Sequence, residues 1–349
     1  MKILDTTIRD GSYAVDFKFS CSDVKMCARA VERLGIPYFE IGHGRGLGAS
    51  NAENGFSLNT DEEYMKTARE NLKNTKFGFF CIPGVASFED IDLLAANGGS
   101  FVRIGDNADQ IEDTIPYIEH AKKKGLMVTV NYMKTYIIDP EEFATKAVDL
   151  QKAGADCVYV VDSAGCMLEA DILAYKKALR EKSDIAIGYH GHNNIGLAVS
   201  NSLACAKDGF DIIDTSFQGL GRSIGNTATE MFVMSALREG IDVGTDIDIP
   251  RLLESGFTFI RNATDRAPQN PLDLICGYAG FHSGYLKDIY KCSEDKNVDP
   301  LRLIIAYADK NQKSMDHELL YKVAETLPVD TGINPYSFRQ YFKKTYSVD

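Results

Sequence analysis

The sequence predicts an α/β fold, a closed (β/α)8 TIM barrel with a C-terminal helical extension, and three observations carry that prediction. Short runs rich in β-branched and aromatic residues alternate with amphipathic helical segments eight times in about 240 residues, the rhythm and length of a barrel. Polar or glycine-bearing residues gather at nearly every strand's C-terminal end rather than at one switch point. No Gly-x-Gly-x-x-Gly opens the first helix, which argues against an open doubly wound sheet.

Taken in order, Ile3-Leu4-Asp5-Thr6-Thr7-Ile8 reads as the first strand and ends at Arg9-Asp10-Gly11. A helix is expected from Ser22, a candidate N-cap, to Leu34, with Gly35 just past its end. Further strands are expected at 37–42, 77–82, 101–104, 127–131, 157–162, 185–192 and 212–216. Between them, helical spacing falls near 61–73, 87–97, 109–124, 140–153, 168–182, 196–208 and 228–238. In a barrel the strand ends converge on one mouth, where active sites are built. Past about residue 245 the pattern changes to short helices on a charged background, at 299–309, 315–327 and 335–345, after a segment that starts at Ile249-Pro250. Residues 1–249 are therefore assigned to a catalytic barrel and 250–349 to a helical domain expected to pack on it.

Composition narrows the function. A 349-residue chain with 44% hydrophobic residues can bury a full core, and its net charge of −12 leaves no basic stripe for nucleic acid. No apolar run reaches the roughly 18 residues of a membrane span, and Met1-Lys2-Ile3-Leu4-Asp5 meets charge at once, so neither signal peptide nor anchor is expected. Eight cysteines lie singly in apolar segments without a Cys-x-x-Cys pair, which predicts buried free thiols and a cytoplasmic setting. Partners should be small molecules or proteins.

The candidate chemistry sits at Tyr189-His190-Gly191-His192-Asn193-Asn194. Side chains two apart on a strand share a face, so His190 and His192 form either a bidentate metal grip or a hydrogen-bonded core pair. Asp10 ends the first strand, and strands one and seven, both odd, reach the same layer of a barrel mouth. Two imidazoles and a carboxylate without thiolate suit Mn²⁺, Mg²⁺, Co²⁺ or Fe²⁺ at least as well as Zn²⁺. Asn193 and Asn194 read better as caps of the next helix than as groups orienting the imidazoles. Arg9 either pairs with Asp5 or another carboxylate, or stabilises an oxyanion formed beside the metal.

Thr7-Ile8-Arg9-Asp10-Gly11, His190-Gly191-His192-Asn193-Asn194 and Gly219-Leu220-Gly221-Arg222-Ser223-Ile224-Gly225-Asn226 together resemble the DRE-TIM metallolyases. Gly42-His43-Gly44-Arg45-Gly46-Leu47-Gly48 and Gly277-Tyr278-Ala279-Gly280 resemble segments of the 4-hydroxy-2-oxovalerate aldolase branch, and residues from Asn297 onward look like its small helical domain. The resemblance implies a divalent-metal lyase that cleaves a 4-hydroxy-2-oxo acid to pyruvate and an aldehyde through an enolate. Mn²⁺ is the first choice of ion, with Mg²⁺, Co²⁺ or Zn²⁺ as alternatives. Asp10, His190 and His192 match the metal ligands, Asn226 a further ligand, Arg9 the enolate-stabilising arginine, and Ser163 a contact to the pyruvate carboxylate. An acylating aldehyde dehydrogenase partner and a homo-oligomer are also implied.

There are departures. Tyr13 stands where the aldolases carry a histidine, and Phe281-His282 where they carry a tyrosine, as though the two residue types had exchanged places. Tyr13 and His282 are therefore the candidates for proton transfer, and His282 is the better base near neutrality, with an ordinary pKa of about 6.5 against about 10 for tyrosine. Its other reading is a cap in the 277–285 loop. Arg45 replaces an acidic residue, which favours a more anionic substrate. A Claisen-type acyl-CoA synthase fits the same chemistry less well, because only about 100 residues follow the barrel where such synthases carry a longer region. A non-catalytic subunit would have lost one of Asp10, His190 and His192, and an Fe(II) oxygenase fits the ligands but not the barrel.

Overall fold

Eight short parallel strands close on themselves in chain order: β1 (Lys2–Asp5), β2 (Tyr38–Ile41), β3 (Lys76–Cys81), β4 (Phe101–Asn107), β5 (Met127–Met133), β6 (Cys157–Asp162), β7 (Ala186–Gly191) and β8 (Ile212–Thr215). The computed structural model describes residues 1–330, and within them two compact units meet between Asp246 and Ile247. In the first unit β8 pairs back onto β1, with Lys2 opposite Ile212 and Asp5 opposite Thr215. The strands are buried almost throughout, because one face fills the barrel and the other meets helices.

Those helices are α1 (Cys21–Leu34), α2 (Asp61–Asn71), α3 (Phe88–Ala96), α4 (Ile115–Lys123), α5 (Pro140–Ala153), α6 (Glu169–Arg180), α7 (Ala198–Lys207) and α8 (Thr229–Arg238). The cap of α1 is Ser20 rather than Ser22. Ser20 has Asp23 three residues on, so its hydroxyl accepts from the Asp23 amide while the Asp23 carboxylate accepts from the Ser20 amide. Ser22 has Lys25 at that distance, which cannot accept. The same reciprocal pair starts α2 with Thr60 and Glu63, and α3 with Ser87 and Asp90. Gly35 ends α1 in the left-handed conformation the sequence anticipates.

The first strand stops earlier than its apolar run suggests. Asp5 turns its carboxylate back onto the amide and hydroxyl of Thr7, both at 2.9 Å, and the chain leaves the ladder there. A 3₁₀ turn (Asp10–Val15) follows, so strand alternation no longer separates Arg9 from Asp10.

Inside the barrel, Leu4, Tyr38, Phe101, Cys157, Tyr159, Val161 and Ile212 form one apolar cluster. Two strand glycines make room for its aromatics. A Cβ at Gly78 would lie 2.3 Å from the Phe101 carbonyl oxygen, and one at Gly188 would lie 2.4 Å from the Tyr159 ring. The eight cysteines form no disulfide, but Cys166 is exposed and Cys21 half-buried, a departure from uniform burial that arises because Cys166 lies on the loop after β6. Among the described residues no helix is long and apolar enough to cross a membrane.

The second unit contains α9 (Ile249–Ala263), α10 (Pro271–Ala279), α11 (Leu286–Lys296), α12 (Pro300–Ala308) and α13 (His317–Ala324). The segments expected at Ile249, 299–309 and 315–327 are α9, α12 and α13, while the one at 335–345 lies outside the described residues. Helices α10 and α11 were not anticipated. The Gly277-Tyr278-Ala279-Gly280 motif is the last turn of α10 with Gly280 as its left-handed cap, and Asn270 with Pro271 is its readable start signal.

Gly78→Ala should lower the unfolding free energy by about 1–3 kcal/mol, because the backbone carbonyl it meets cannot move without shifting β4. Urea unfolding followed by circular dichroism checks this, and an unchanged midpoint would contradict the packing described.

Candidate active site and metal centre

Asp10, His190 and His192 bring their ligand atoms within 4.8 Å of one another, and all three are buried. His190 sits near the end of β7, and His192 follows in a bridge with Asn226 that holds the chain straight beyond the strand. The two imidazoles stand 5.1 Å apart, nearly perpendicular. His190 Nδ1 lies 2.8 Å from Asp214 Oδ2, so the carboxylate fixes the tautomer and leaves Nε2 as the free lone pair.

The donor set fits a divalent cation. His192 Nδ1 and Asn226 Oδ1 are buried without a hydrogen-bond partner, an arrangement that is costly unless a ligand completes it. Asn226 Nδ2 donates to Asp10 Oδ2 at 2.8 Å, which pins the amide beside the triad. Burial, partly offset by Asp10 and reinforced by His190, Arg222 and Arg9, pushes His192 down to about 4, so the ring is neutral near pH 7. Burial alone would raise Asp10, but Arg9 and the two imidazoles hold it well below the usual carboxylate range. Neutral imidazole nitrogen and anionic oxygen are what a hard or borderline divalent metal takes.

Behind the triad runs a chain of buried ion pairs. Asp10 Oδ1 meets Arg9 Nη1 at 2.7 Å, and Arg9 Nε meets Glu40 Oε2 at 2.8 Å. Glu40 Oε2 also takes Arg103 Nη1 at 3.0 Å, and Arg103 Nη2 reaches Asp214 Oδ2 at 2.5 Å. Asp214 holds His190, so the chain starts and ends on metal-ligand candidates. Its members come from the loop after β1 and from β2, β4, β8 and β7. Arg9 thus pairs with Glu40 and Asp10 and not with Asp5, whose carboxylate is taken by Thr7. Burial pushes Asp5 up to about 7.

The other candidates are distributed as follows. Tyr13 lies half-buried in the 3₁₀ turn beside Gly44 and edge-on to Phe17, and burial raises its hydroxyl despite the opposing pull of Arg9. Ser163, on the loop after β6, accepts at Oγ from the Lys134 amide at 2.9 Å. Arg222 ties that loop toward the triad, with its side chain donating to the Ser163 carbonyl at 3.1 Å and its amide 3.4 Å from Asp10 Oδ2. Asn193 accepts from the first amide of α7, as a cap would, whereas Asn194 donates to Ser223. His282 belongs to the second unit, where it is exposed and its Nδ1 accepts from the Gly284 amide at 3.1 Å, the capping geometry.

Sequence reasoning missed Glu40, Arg103, Asp214 and Arg222. The first three had a usable signal. Each is a single charge inside an apolar strand of a barrel, where burial requires a partner.

The family model described as HMGL-like matches residues 1–255 of this chain. The chain is 36% identical over 285 residues to the oxaloacetate decarboxylase of Mycobacterium tuberculosis, covering 80% of this chain and 83% of that protein. It is 32% identical over 324 residues to the 4-hydroxy-2-oxovalerate aldolase of Chloroflexus aurantiacus, covering 93% of this chain and 94% of that one. Among solved structures, the HMG-CoA lyase from Brucella melitensis shares the fold at a TM-score of 0.62 with 18% identity, over 74% of this chain and 97% of that one.

Two outcomes follow from the geometry. Arg103→Met should lower stability by about 3–5 kcal/mol in urea unfolding, because Glu40 and Asp214 would be left buried without their cation. In metal-stripped protein, His192 titrates near 4 when folded and near 6.5 when unfolded, so between those values the unfolded chain binds the extra proton. Stability should therefore be full above about pH 6.5 and decline as pH falls toward 4, and His192→Gln should shrink the decline. Urea midpoints measured in chelator across that window check it.

Proposed function

This chain belongs to the HMGL-like family, and on that premise we propose that it is a divalent-metal-dependent carbon–carbon lyase cleaving a 4-hydroxy-2-oxo acid to pyruvate and an aldehyde. The observation that carries the proposal is the convergence of Asp10, His190 and His192 with a guanidinium, Arg9, locked beside them. Asp10, His190 and His192 would hold the ion, with Asn226 Oδ1 as a further donor, and a bound ion supplies Lewis-acid polarisation of the 2-oxo group. Imidazole and carboxylate donors without thiolate fit Mn²⁺, the proposed ion, as well as Mg²⁺, Co²⁺ or Zn²⁺.

The protein's own groups account for the remaining steps. A base takes the proton of the C4 hydroxyl, the C3–C4 bond breaks, its electron pair flows into the enolate, and the aldehyde leaves. Arg9 cannot donate a lone pair to metal, but its N–H groups can hold the oxyanion that develops at C2. Glu40 and Asp10 fix its orientation in advance. Ser163 is proposed to contact the substrate carboxylate. His282 is the candidate base and Tyr13 the relay that returns a proton to C3, the role that suits a hydroxyl whose pKa burial raises.

Coverage of the aldolase relatives across the helical unit supports a partner role for that unit, with an acylating aldehyde dehydrogenase and a second copy of this chain as the partners proposed. Eight cysteines without a disulfide among them fit a reducing compartment, the cytoplasm.

A second reading is favoured by the identity to an oxaloacetate decarboxylase. Loss of CO2 from a C4 carboxylate breaks the same C3–C4 bond and leaves the same pyruvate enolate, with no C4 hydroxyl proton to remove. The test supplies Mn²⁺-loaded protein with 4-hydroxy-2-oxovalerate or oxaloacetate and follows pyruvate. Release from the first but not above background from the second establishes the aldolase, and release from no 4-hydroxy-2-oxo acid and not from oxaloacetate overturns both readings. His190→Ala should abolish activity. Arg9→Ala should lower kcat by about 10²-fold or more while metal affinity is largely kept. His282→Asn should remove the acidic limb of the pH–rate profile of cleavage, and full retained activity would leave Tyr13 or bound water as the base.

A further inference from the structure

The mouth of the barrel carries two arginines, Arg45 and Arg222, that the proposed reaction does not use. Around the closed sheet, the loops that follow β8, β1 and β2 are neighbours, and each contributes one arginine: Arg222, Arg9 and Arg45. The Tyr13 segment lies beside all three. Arg222 lies with its guanidinium carbon 6.0 Å from the Tyr13 ring, Arg9 neighbours Asp10 at the start of the turn that carries Tyr13, and Gly44, next to Arg45, abuts that ring. Burial raises the Tyr13 hydroxyl, and Arg9, Arg222 and Arg45 all act on it in the opposite sense, which places the three charges within electrostatic reach of one atom.

Their engagements differ. Arg9 engages Asp10 through Nη1 and Glu40 through Nε. Arg45 donates to the Asn54 amide oxygen at 2.5 Å, a neutral partner that leaves its charge uncompensated. Arg222 is exposed, donates once to the Ser163 carbonyl, and pairs with no carboxylate among the described residues. Two uncompensated guanidinium groups on one side of the mouth of a chain with net charge −12 form a local inversion of sign. Asp10, which lies 3.4 Å from the Arg222 backbone amide, is already paired with Arg9.

We propose that Arg222, assisted by Arg45, is a specificity residue that binds a second anionic group, carboxylate or phosphate, at the end of the substrate remote from its 2-oxo acid. This rests on the reading of the site as one that binds 2-oxo acids and narrows the substrate from neutral-tailed to doubly anionic ones. A planar guanidinium with open N–H groups is suited to grip either oxyanion in two places. The Arg222 side chain donates to the Ser163 carbonyl and its backbone amide lies 3.4 Å from Asp10 Oδ2, so the residue that carries the guanidinium is positioned by the loop after β6 and by the triad.

The test reads binding, so it is independent of turnover. Mn²⁺-loaded full-length protein is titrated calorimetrically with 2-oxovalerate, with 2-oxoglutarate, and with the analogue carrying a terminal phosphonate. These share a 2-oxo acid and differ at the far end in a methyl, a carboxylate or a phosphonate. An anionic ligand should bind about tenfold or more tightly than 2-oxovalerate, and the tighter of the two names the source of the charge. Arg222→Gln, which keeps a donor for the Ser163 carbonyl but removes the charge, should erase that preference and leave 2-oxovalerate binding within about twofold. Arg222→Lys should restore part of it. Equal affinity of the wild-type protein for all three ligands overturns the proposal, as does a preference that survives in both Arg222→Gln and Arg45→Ala. If the preference is seen but no pyruvate is released from any 4-hydroxy-2-oxo acid or from oxaloacetate, the specificity assignment stands and the lyase reading falls. Release of pyruvate without any preference has the opposite meaning.

Discussion

The buried run Asp10–Arg9–Glu40–Arg103–Asp214–His190 is the constraint on which the barrel mouth depends. Taking five charged side chains out of water is expensive, and their mutual attraction offsets that cost only while every link is made. What the run provides is fixation rather than surplus stability. Each guanidinium bridges two carboxylates, so neither can rotate without uncovering a buried charge. Arg9 is therefore presented in one orientation, and His190 in one tautomer, before any substrate arrives. Catalytic groups held this way lose no reorganisation energy at the moment of reaction.

The path of the chain after β1 is the second half of the same arrangement. Had the strand continued through Ile8, as its apolar run invites, alternation would have sent Arg9 and Asp10 to opposite faces. Asp5 prevents this by capturing the Thr7 amide and hydroxyl, which ends the ladder and lets two adjacent residues serve one site. Burial raises Asp5 toward neutrality, consistent with a carboxyl whose task is to shape the backbone rather than to carry charge.

Much of this was legible in the sequence, and the boundary of legibility has a physical cause. Strands, helices and the His190–His192 pair announce themselves through local periodicity, and the Ser20, Thr60 and Ser87 caps through acids three residues on. Partner choice among distant charges has no such local signature. Glu40 and Arg103 are 63 residues apart and Arg103 and Asp214 are 111 apart, so each looked like an isolated charge in a strand. Helix α10 was obscured for another reason. Its glycines, Gly277 and Gly280, read as loop residues, although the second only caps the helix from outside. Cys166 was misjudged because its apolar neighbours Met167 and Leu168 lie on a loop, where composition no longer predicts burial.

The division of labour at the mouth explains how one framework can serve more than one bond cleavage. In the proposed reaction the triad, Arg9 and the charge run behind them serve the 2-oxo acid end, which is the same whether an aldehyde or CO2 departs. In that proposal the far end of the substrate meets loops, where Arg45 and Arg222 sit outside the buried run and can vary without disturbing it. A change there alters which substrate is held, not how the enolate is stabilised. In the decarboxylation reading the departing group is itself a carboxylate, and a guanidinium gripping it would resist its conversion to neutral CO2. Charge at Arg222 therefore helps most when the second anion survives the reaction, on the aldehyde fragment beyond C4, and this physical asymmetry favours a doubly anionic aldol substrate over oxaloacetate.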